Sequence, residues 1–396
     1  MRISQMNPII PFNKPFLVGK ELLYIEEAVR KNRHISGDGP FTRKCEKWLE
    51  EVLGCRKVLL THSCTAALEM ASILCDLKPG DEVIMPSFTF VSTANAFVLR
   101  GAIPVFVDIR PDTLNLDENL IEQAITARTR AVVAVHYAGL ACEMDRILEI
   151  TCTHELLVIE DAAQALLSNY NGKYLGALGH LGCLSFHETK NIISGEGGAL
   201  LINDERFIER AEVIREKGTN RNEFFHGHAD KYTWVDIGSS FLPSDIIGAF
   251  LYAQLEQSRG IIEVRCKLAA HYDELLRPLA DEGFLQLPLP DKTEACNGHL
   301  YYILTRTPEE RQSLIHFLRE QGITAIFHYV PLHSSPAGIK YGRFCGNLSV
   351  TDYVSDRILR LPLFYEMTVQ QIETVVEAIR CFYHEQCFET RSSQPL

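Results

Sequence analysis

The sequence encodes an α/β protein whose large unit is built on a mostly parallel central sheet, joined to a smaller C-terminal α+β unit. Three features predict this. Between residues 55 and 205, short apolar runs rich in β-branched residues alternate with longer amphipathic stretches. The runs are almost continuously hydrophobic, as suits strands covered on both faces. Most connections between them span roughly 20 residues at helical spacing, long enough for a parallel crossover.

The expected strands, in order, are Lys57–Thr61, Glu82–Met85, Pro104–Asp108, Ala131–His136, Leu156–Asp161, Cys183–Phe186 and Ala199–Asn203. Thr65–Asp76 carries Leu68, Ala71, Ile73 and Leu74 at helical spacing, and Lys78-Pro-Gly-Asp81 punctuates the return to the sheet. A Gly-rich loop too short for a crossover joins the last two runs, which predicts an antiparallel or irregular pair. After Ser244 a helical pattern continues toward Leu279, with Ile246, Ile247, Phe250, Leu251 and Leu255 on one face, and reads as one long helix joining two domains. Residues 1–250 form the expected large domain and 251–396 the small one, with strands at Leu300–Thr305 and Ala325–His328 and helices at Glu309–Gln321 and Thr368–Tyr383. The polar tail Glu389–Leu396 is expected to fray.

Composition excludes several classes. The 396 residues are 46% hydrophobic and 23% charged, which fits globular domains rather than collagen, low-complexity or disordered chains. With Lys plus Arg at 39 and Asp plus Glu at 51, the net charge is −12, and without a basic block no nucleic-acid partner is expected. No apolar stretch nears the ~20 residues of a membrane helix, and the N-terminus lacks a signal-peptide core, so no membrane partner and a cytoplasmic location are expected. The twelve cysteines include no CxxC pair and read as reduced thiols. His328 and His333 lack the spacing of a helical zinc site, and no metal is expected.

Four segments carry residue types with chemical potential. Leu156–Asp161 is an apolar strand ending in two acids, which places Asp161 where α/β sites form; a turn or capping acid would look the same. Ser185-Phe-His187-Glu-Thr-Lys190, followed by Gly195-Glu-Gly-Gly198, sets one lysine in a loop beside a glycine cluster. Such a lysine can form a Schiff base if its amine is kept unprotonated, although most loop lysines are merely solvated. In Thr61-His-Ser63-Cys64-Thr65 a strand ends and a helix begins, so free N–H groups and hydroxyls can cradle a phosphate or simply cap the helix. Phe90, just past the strand at 82–85, can stack on a flat cofactor or pack in the core. Their conjunction at the strand ends of one sheet matches what pyridoxal phosphate requires.

Taken in order, Ser63-Cys-Thr-Ala-Ala-Leu68, Pro86-Ser-Phe-Thr-Phe90, Val158-Ile-Glu-Asp-Ala-Ala-Gln164 and Ser185-Phe-His-Glu-Thr-Lys190 with Gly195-Glu-Gly-Gly198 resemble the DegT/DnrJ/EryC/StrS family. These are fold-type I pyridoxal-phosphate enzymes that act on nucleotide-linked keto sugars. The resemblance runs from Ile10-Pro-Phe12 through Gly37-Asp-Gly39 to His328-Tyr-Val-Pro-Leu-His333. Glu216-Lys-Gly-Thr-Asn-Arg221 and Asp236-Ile-Gly-Ser-Ser240 are similar to the family's dTDP-4-amino-4,6-dideoxygalactose transaminases of surface-polysaccharide synthesis.

The resemblance implies that Lys190 holds pyridoxal phosphate covalently and shuttles a proton, and that Asp161 pairs with the pyridinium nitrogen. Gln164 would face the ring and Phe90 stack on it, while Ser63, Cys64, Thr65 and Ser185 bind the phosphate. Ser240 stands where much of the family carries an Asn from the partner subunit, leaving that contact absent or made by a hydroxyl. The implied substrates are L-glutamate and a dTDP-4-keto-6-deoxyhexose, and the implied assembly is a homodimer with its sites at the subunit interface. His187, His328, His333 and Arg221 are candidate substrate contacts, each with a structural alternative: packing for His187, turn structure for His328 and His333, and a solvated helix face for the Arg215, Lys217 and Arg221 group. Gly176-Ala-Leu-Gly179-His-Leu-Gly182 precedes a strand rather than following one, which argues against a dinucleotide fingerprint.

Overall fold

The computed structural model describes residues 10–220, 233–288 and 297–392, with side chains to residue 384. Seven strands of the large sheet coincide with the expected runs to within two residues at either end: β1 Lys57–Thr61, β2 Glu82–Pro86, β3 Ile103–Val107, β4 Thr129–Val135, β5 Leu157–Asp161, β6 Leu181–Ser185 and β7 Gly198–Ile202. The C-terminal part adds β8 Leu285–Gln286, β9 Tyr301–Thr305, β10 Arg343–Phe344 and β11 Ile358–Leu361. The large sheet runs β1-β7-β6-β5-β4-β2-β3-β10. Strand β7 is antiparallel to both of its neighbours, and the other pairings are parallel.

Both faces of this sheet are covered, which explains the unbroken hydrophobicity of its strands. On one face Leu59, Met85, Val133, Ile159 and Leu200 pack with Ala67, Leu68, Ala71 and Leu74 of helix α2 (Cys64–Leu74). On the other, Val58, Leu60, Leu184 and Leu201 meet Cys45 and Leu49 of α1 (Pro40–Leu53), while Ile84, Val105, Val132 and Val158 meet Ile147 and Ile150 of α4 (Met144–Thr153). Between α2 and α4 lies α3, Val91–Val98, directly after β2.

The expected single helix from 244 to 279 is two: α5, Asp245–Glu256, and α6, Ser258–Asp281, broken at Gln257 with φ −107° and ψ 3°. The reason lies in packing. Leu251 and Leu255 of α5 belong to the core of the large sheet, whereas Leu268, Tyr272, Leu276 and Leu279 of α6 belong to a second core. That second core covers a three-stranded antiparallel sheet, β8-β9-β11, together with α7 (Pro308–Glu320) and α8 (Val369–Ser392). Ile10 joins this core from the N-terminal side, and β10 crosses the other way to edge the large sheet beside β3.

Ala325–His328 is not a strand. Only Ile326 pairs, with Arg360 of β11, after which the chain leaves the sheet. Of the tail expected to fray, 389–392 continue α8 and 393–396 lie outside the described residues. Among the described residues no helix is long and apolar enough to cross a membrane.

Candidate active site

The register brings the carboxyl ends of β1, β5 and β6 to one edge of the sheet. Asp161 lies opposite Val135 and Cys183, and Gly198 lies between Thr61 and Ser185. Residues far apart in sequence thus meet because parallel strands end together.

Ser63 caps α2, its Oγ accepting the Ala66 N–H at 3.1 Å. The N–H groups of Cys64 and Thr65 precede the first intrahelical acceptor and are available to an anion. Thr65 Oγ1 lies 2.8 Å from Ser92 Oγ, and Ser185 Oγ accepts the His187 N–H at 3.4 Å. Gly198 lets this cradle form: a Cβ there would lie 2.3 Å from the Ser63 carbonyl carbon and 2.4 Å from the Cys64 nitrogen. Burial, then the charge of Asp161, pushes the Cys64 thiol well above its ordinary range, so it stays a neutral donor.

Asp161 is buried at the end of β5. Thr93 Oγ1 donates to its Oδ2 at 2.7 Å, the Ala163 N–H donates to Oδ1 at 3.2 Å, and Thr89 Oγ1 stands 2.8 Å from Thr93 Oγ1. Gln164, three residues on, accepts the Ala138 N–H at 2.7 Å and donates Nε2–H to the Tyr329 hydroxyl at 2.9 Å. Lys190 follows the tight turn that its own N–H closes onto the His187 carbonyl at 2.9 Å. Burial lowers the proton affinity of its amine; the Asp161 carboxylate opposes this, and the nearby guanidinium of Arg360 adds to it. A lowered proton affinity favours the free amine, the form that acts as a nucleophile or a base.

The remaining candidates divide. Phe90 is 57% exposed, its ring 6.4 Å from that of Tyr329. The His328 ring stacks on Tyr329 at 4.2 Å and takes a contact from Arg360; burial pushes its pKa to about 2, keeping it neutral. His333 sits farther out, its Nδ1 2.8 Å from Ser87 Oγ and its Nε2 3.4 Å from Asp352. His187 does not pack: its ring is 40% exposed and lies 2.9 Å from Thr189 Oγ1. Ser240 is exposed on the strip whose next residue, Phe241, accepts the His62 N–H at 2.9 Å, beside the cradle of its own chain. Arg215 is neither a substrate contact nor solvated, because it is buried with its guanidinium 2.5 Å from Glu46. Arg221 lies outside the described residues.

Sequence reasoning missed Thr89 and Thr93, Tyr329, and the buried group Asn191, Asn297, His299 and Arg360. His299 Nδ1 lies 3.1 Å from Asn191 Oδ1, and Asn191 Nδ2 donates to the Asn297 carbonyl at 2.8 Å. Asn297 Nδ2 in turn donates to the carbonyls of Gln164 and Leu166. A charge within Leu359-Arg-Leu361, inside an apolar strand, was the available signal for Arg360.

Comparison with known proteins fits this geometry. The model of the DegT/DnrJ/EryC1/StrS aminotransferase family matches residues 17–380. A pleiotropic regulatory protein of Geobacillus stearothermophilus is 34% identical over 91% of this chain and 93% of its own. GDP-perosamine synthase of Escherichia coli O157:H7 is 31% identical over 95% of this chain and 99% of its own. Among solved structures, the aminotransferase TlmJ of Streptoalloteichus hindustanus superposes with TM-score 0.87 at 29% identity, covering 96% of this chain and 100% of that one. NtdA of Bacillus subtilis with bound cofactor PMP superposes with TM-score 0.82 at 27% identity, covering 93% and 82%.

Proposed function

The chain belongs to the DegT/DnrJ/EryC1/StrS aminotransferase family and is a pyridoxal-phosphate-dependent sugar aminotransferase; from that premise we propose that it moves the amino group of L-glutamate to C4 of dTDP-4-keto-6-deoxy-D-glucose, giving dTDP-4-amino-4,6-dideoxy-D-galactose and 2-oxoglutarate. The observation that carries the reading is Lys190, its amine desolvated at the sheet edge that also holds Asp161 and the α2 cradle.

The residues suit the cofactor. The N–H groups of Cys64 and Thr65, with the Ser63, Thr65 and Ser185 hydroxyls, would bind its phosphate, and Gly198 lets the Ser63–Cys64 backbone come close enough to form that cradle. Asp161, aimed by Thr93, would pair with a protonated ring nitrogen. Gln164, anchored between Ala138 and Tyr329, would face the ring, and Phe90 would stack on it. When bound, pyridoxal phosphate supplies the electron sink that makes a Cα proton removable. Lys190 Nζ would hold the cofactor and, once released from it, would move that proton between the substrate and the cofactor. A desolvated amine does this over a short path, a contribution of roughly 10²–10⁴-fold.

The assembly we propose is a homodimer with the two sites at its interface and a place in surface-polysaccharide synthesis. Support for the interface comes from Leu22, Leu23, Trp234 and Val235, large apolar side chains that the single chain leaves exposed at 69%, 59%, 79% and 54%. A second reading has its own observation: the 31% identity with GDP-perosamine synthase favours a perosamine-type enzyme using a GDP-linked keto sugar.

The test is a visible spectrum of the holoenzyme before and after L-glutamate, followed by a panel of dTDP- and GDP-linked keto sugars. Conversion by glutamate and turnover of the dTDP-4-keto sugar support the first reading, and turnover of the GDP sugar alone replaces it with the second. Cofactor binding without turnover of any keto sugar leaves a regulator, the description carried by the Geobacillus relative.

A further inference from the structure

One cation in this site has no anion among the described residues. Arg360 lies on β11 between Leu359 and Leu361, opposite Tyr302, with its backbone bonded in both directions to Ile326. The residue is 7% exposed, and its guanidinium rests 4.8 Å from the centre of the Phe12 ring. One terminal nitrogen lies 3.0 Å from His328 Nδ1, while Nε has no partner. No carboxylate among the described residues comes within ion-pair distance of it. The Tyr137 hydroxyl, close enough to act on Arg360 electrostatically, is likewise buried without a partner.

A guanidinium cannot shed its proton to escape this position, and a buried cation without a counter-charge is costly. The compensating anion must therefore arrive with a ligand. Among the described residues, other buried arginines are already answered: Arg215 by Glu46, and Arg265 by the carbonyls of Gly298, His299 and Leu363.

We infer that Arg360 is the donor-specificity residue, receiving through its fork the carboxylate next to the reacting amine of the amino-acid substrate. This rests on the aminotransferase reading above and adds which residue recognises the donor. Placement decides between the two anionic substrates of such an enzyme. Arg360 touches His328, whose ring stacks on Tyr329, and the Tyr329 hydroxyl holds Gln164 three residues beyond Asp161, so the guanidinium sits at the cofactor end of the site. In an amino acid the carboxylate is attached to the carbon that reacts. In a sugar nucleotide a neutral ring separates the reacting carbon from the diphosphate. The planar fork also matches a carboxylate in two parallel hydrogen bonds. In the second half of the cycle the same N–H groups can serve sugar hydroxyls, so one residue accommodates both substrates in turn.

The probe is glutarate, a dicarboxylate without an amine, titrated calorimetrically into the pyridoxal-phosphate holoenzyme of the parent and of R360Q and R360K. Parent binding that falls at least about tenfold in R360Q, with R360K between them, supports the assignment. Binding within twofold in parent and R360Q, or no glutarate binding by the parent, overturns it. Equal visible cofactor bands show that parent and variant are loaded alike. Should R360Q fail to take up cofactor, R360K, which keeps the charge and lacks the fork, carries the comparison: a severalfold loss supports, and no loss overturns. If L-glutamate leaves the parent spectrum unchanged, the glutamate reading fails, while the glutarate titration still decides the role of Arg360.

Discussion

Gly198→Ala isolates the phosphate cradle from the rest of the site. The added methyl would stand 2.3 Å from the Ser63 carbonyl carbon, 2.4 Å from the Cys64 nitrogen and 2.5 Å from the Ser63 oxygen, where ordinary contact begins at 3.4 Å. Something must move by about 1 Å. Strand β7 is a poor candidate, because Gly198 is paired on one side with Thr61 and on the other with Ser185. The Ser63–Cys64 peptide must therefore yield, and with it the cap that Ser63 places on the Ala66 N–H. Overpacking costs about 1–3 kcal/mol and the cap about 1 kcal/mol, for a total near 2–4 kcal/mol. In a chain of 396 residues that lowers the melting temperature by about 2–5 °C.

The cofactor loses affinity as well. Displacing one charge-assisted N–H contact to the phosphate weakens binding by about 1.5–3 kcal/mol, or roughly 10–100-fold in Kd. The assay is titration of the apoprotein with pyridoxal phosphate, followed by absorbance, beside a thermal melt. Gly260→Ala is the internal control: it lies in α6 with nothing within 4 Å of the added carbon, and helix propensity predicts no loss and a gain of up to ~1 kcal/mol. A Gly198→Ala protein that binds cofactor within twofold of the parent and melts within about 1 °C of it would refute the cradle.

Three further perturbations test other parts. Lys190→Ala should abolish turnover, at least about 10²-fold, with the fold intact by circular dichroism; retained steady-state activity would sink the mechanism. Thr93→Val leaves Asp161 Oδ2 and Thr89 without their short hydroxyl contacts, and pyridoxal-phosphate affinity should fall by roughly tenfold while Thr93→Ser restores it. Glu82→Gln should destabilise the edge of the sheet by roughly 2–3 kcal/mol in a urea melt, because the buried Glu82 carboxylate is shared by Arg343, Arg128 and Thr126 and the two arginines are half exposed. Hydrogen bonding from Arg343 holds the Glu82 carboxyl below its usual range. Its stabilisation is thus complete above the unfolded carboxylate range and is lost as pH falls through the lowered value, so parent and variant should converge in acid.

The sheet was legible from β1 to β7 because those strands are covered on both faces, which leaves an apolar run that few other structures produce; the edge strand β10, two residues with Phe344 exposed, leaves none. Lys190, Asp161 and the α2 cradle were legible because strand ends and helix starts carry local signatures. What escaped was set by distance. The break at Gln257 exists because two cores claim successive stretches of one apolar pattern, and no local residue announces it. Thr93 reads as an ordinary helical threonine until Asp161, 68 residues away, comes to meet it. His187 lies in the loop after β6, and its ring is 40% exposed and turned onto Thr189 of the same loop, a local contact that the residue pattern does not reveal.

The division of the site between the two cores bears on how such an enzyme acquires new substrates. Asp161 and Gly198 are pinned by the register of the large sheet, and Ser63 by its cap on α2 beside Gly198, so this end cannot shift without breaking strand pairs. Tyr329, His328 and Arg360 come instead from segments attached to the second core, reaching the first set through Gln164 and Asn297. Substitutions on the second set can change which carboxylate or which sugar is accepted while the cofactor stays seated. The net charge of −12 is compatible with anionic substrates for the same reason: among the described residues, the groups nearest the Lys190 amine include Arg360 and the neutral His299 and His328, against the Asp161 carboxylate, already engaged by Thr93. A local positive field in a buried cleft outweighs a distant, screened surface charge of the opposite sign.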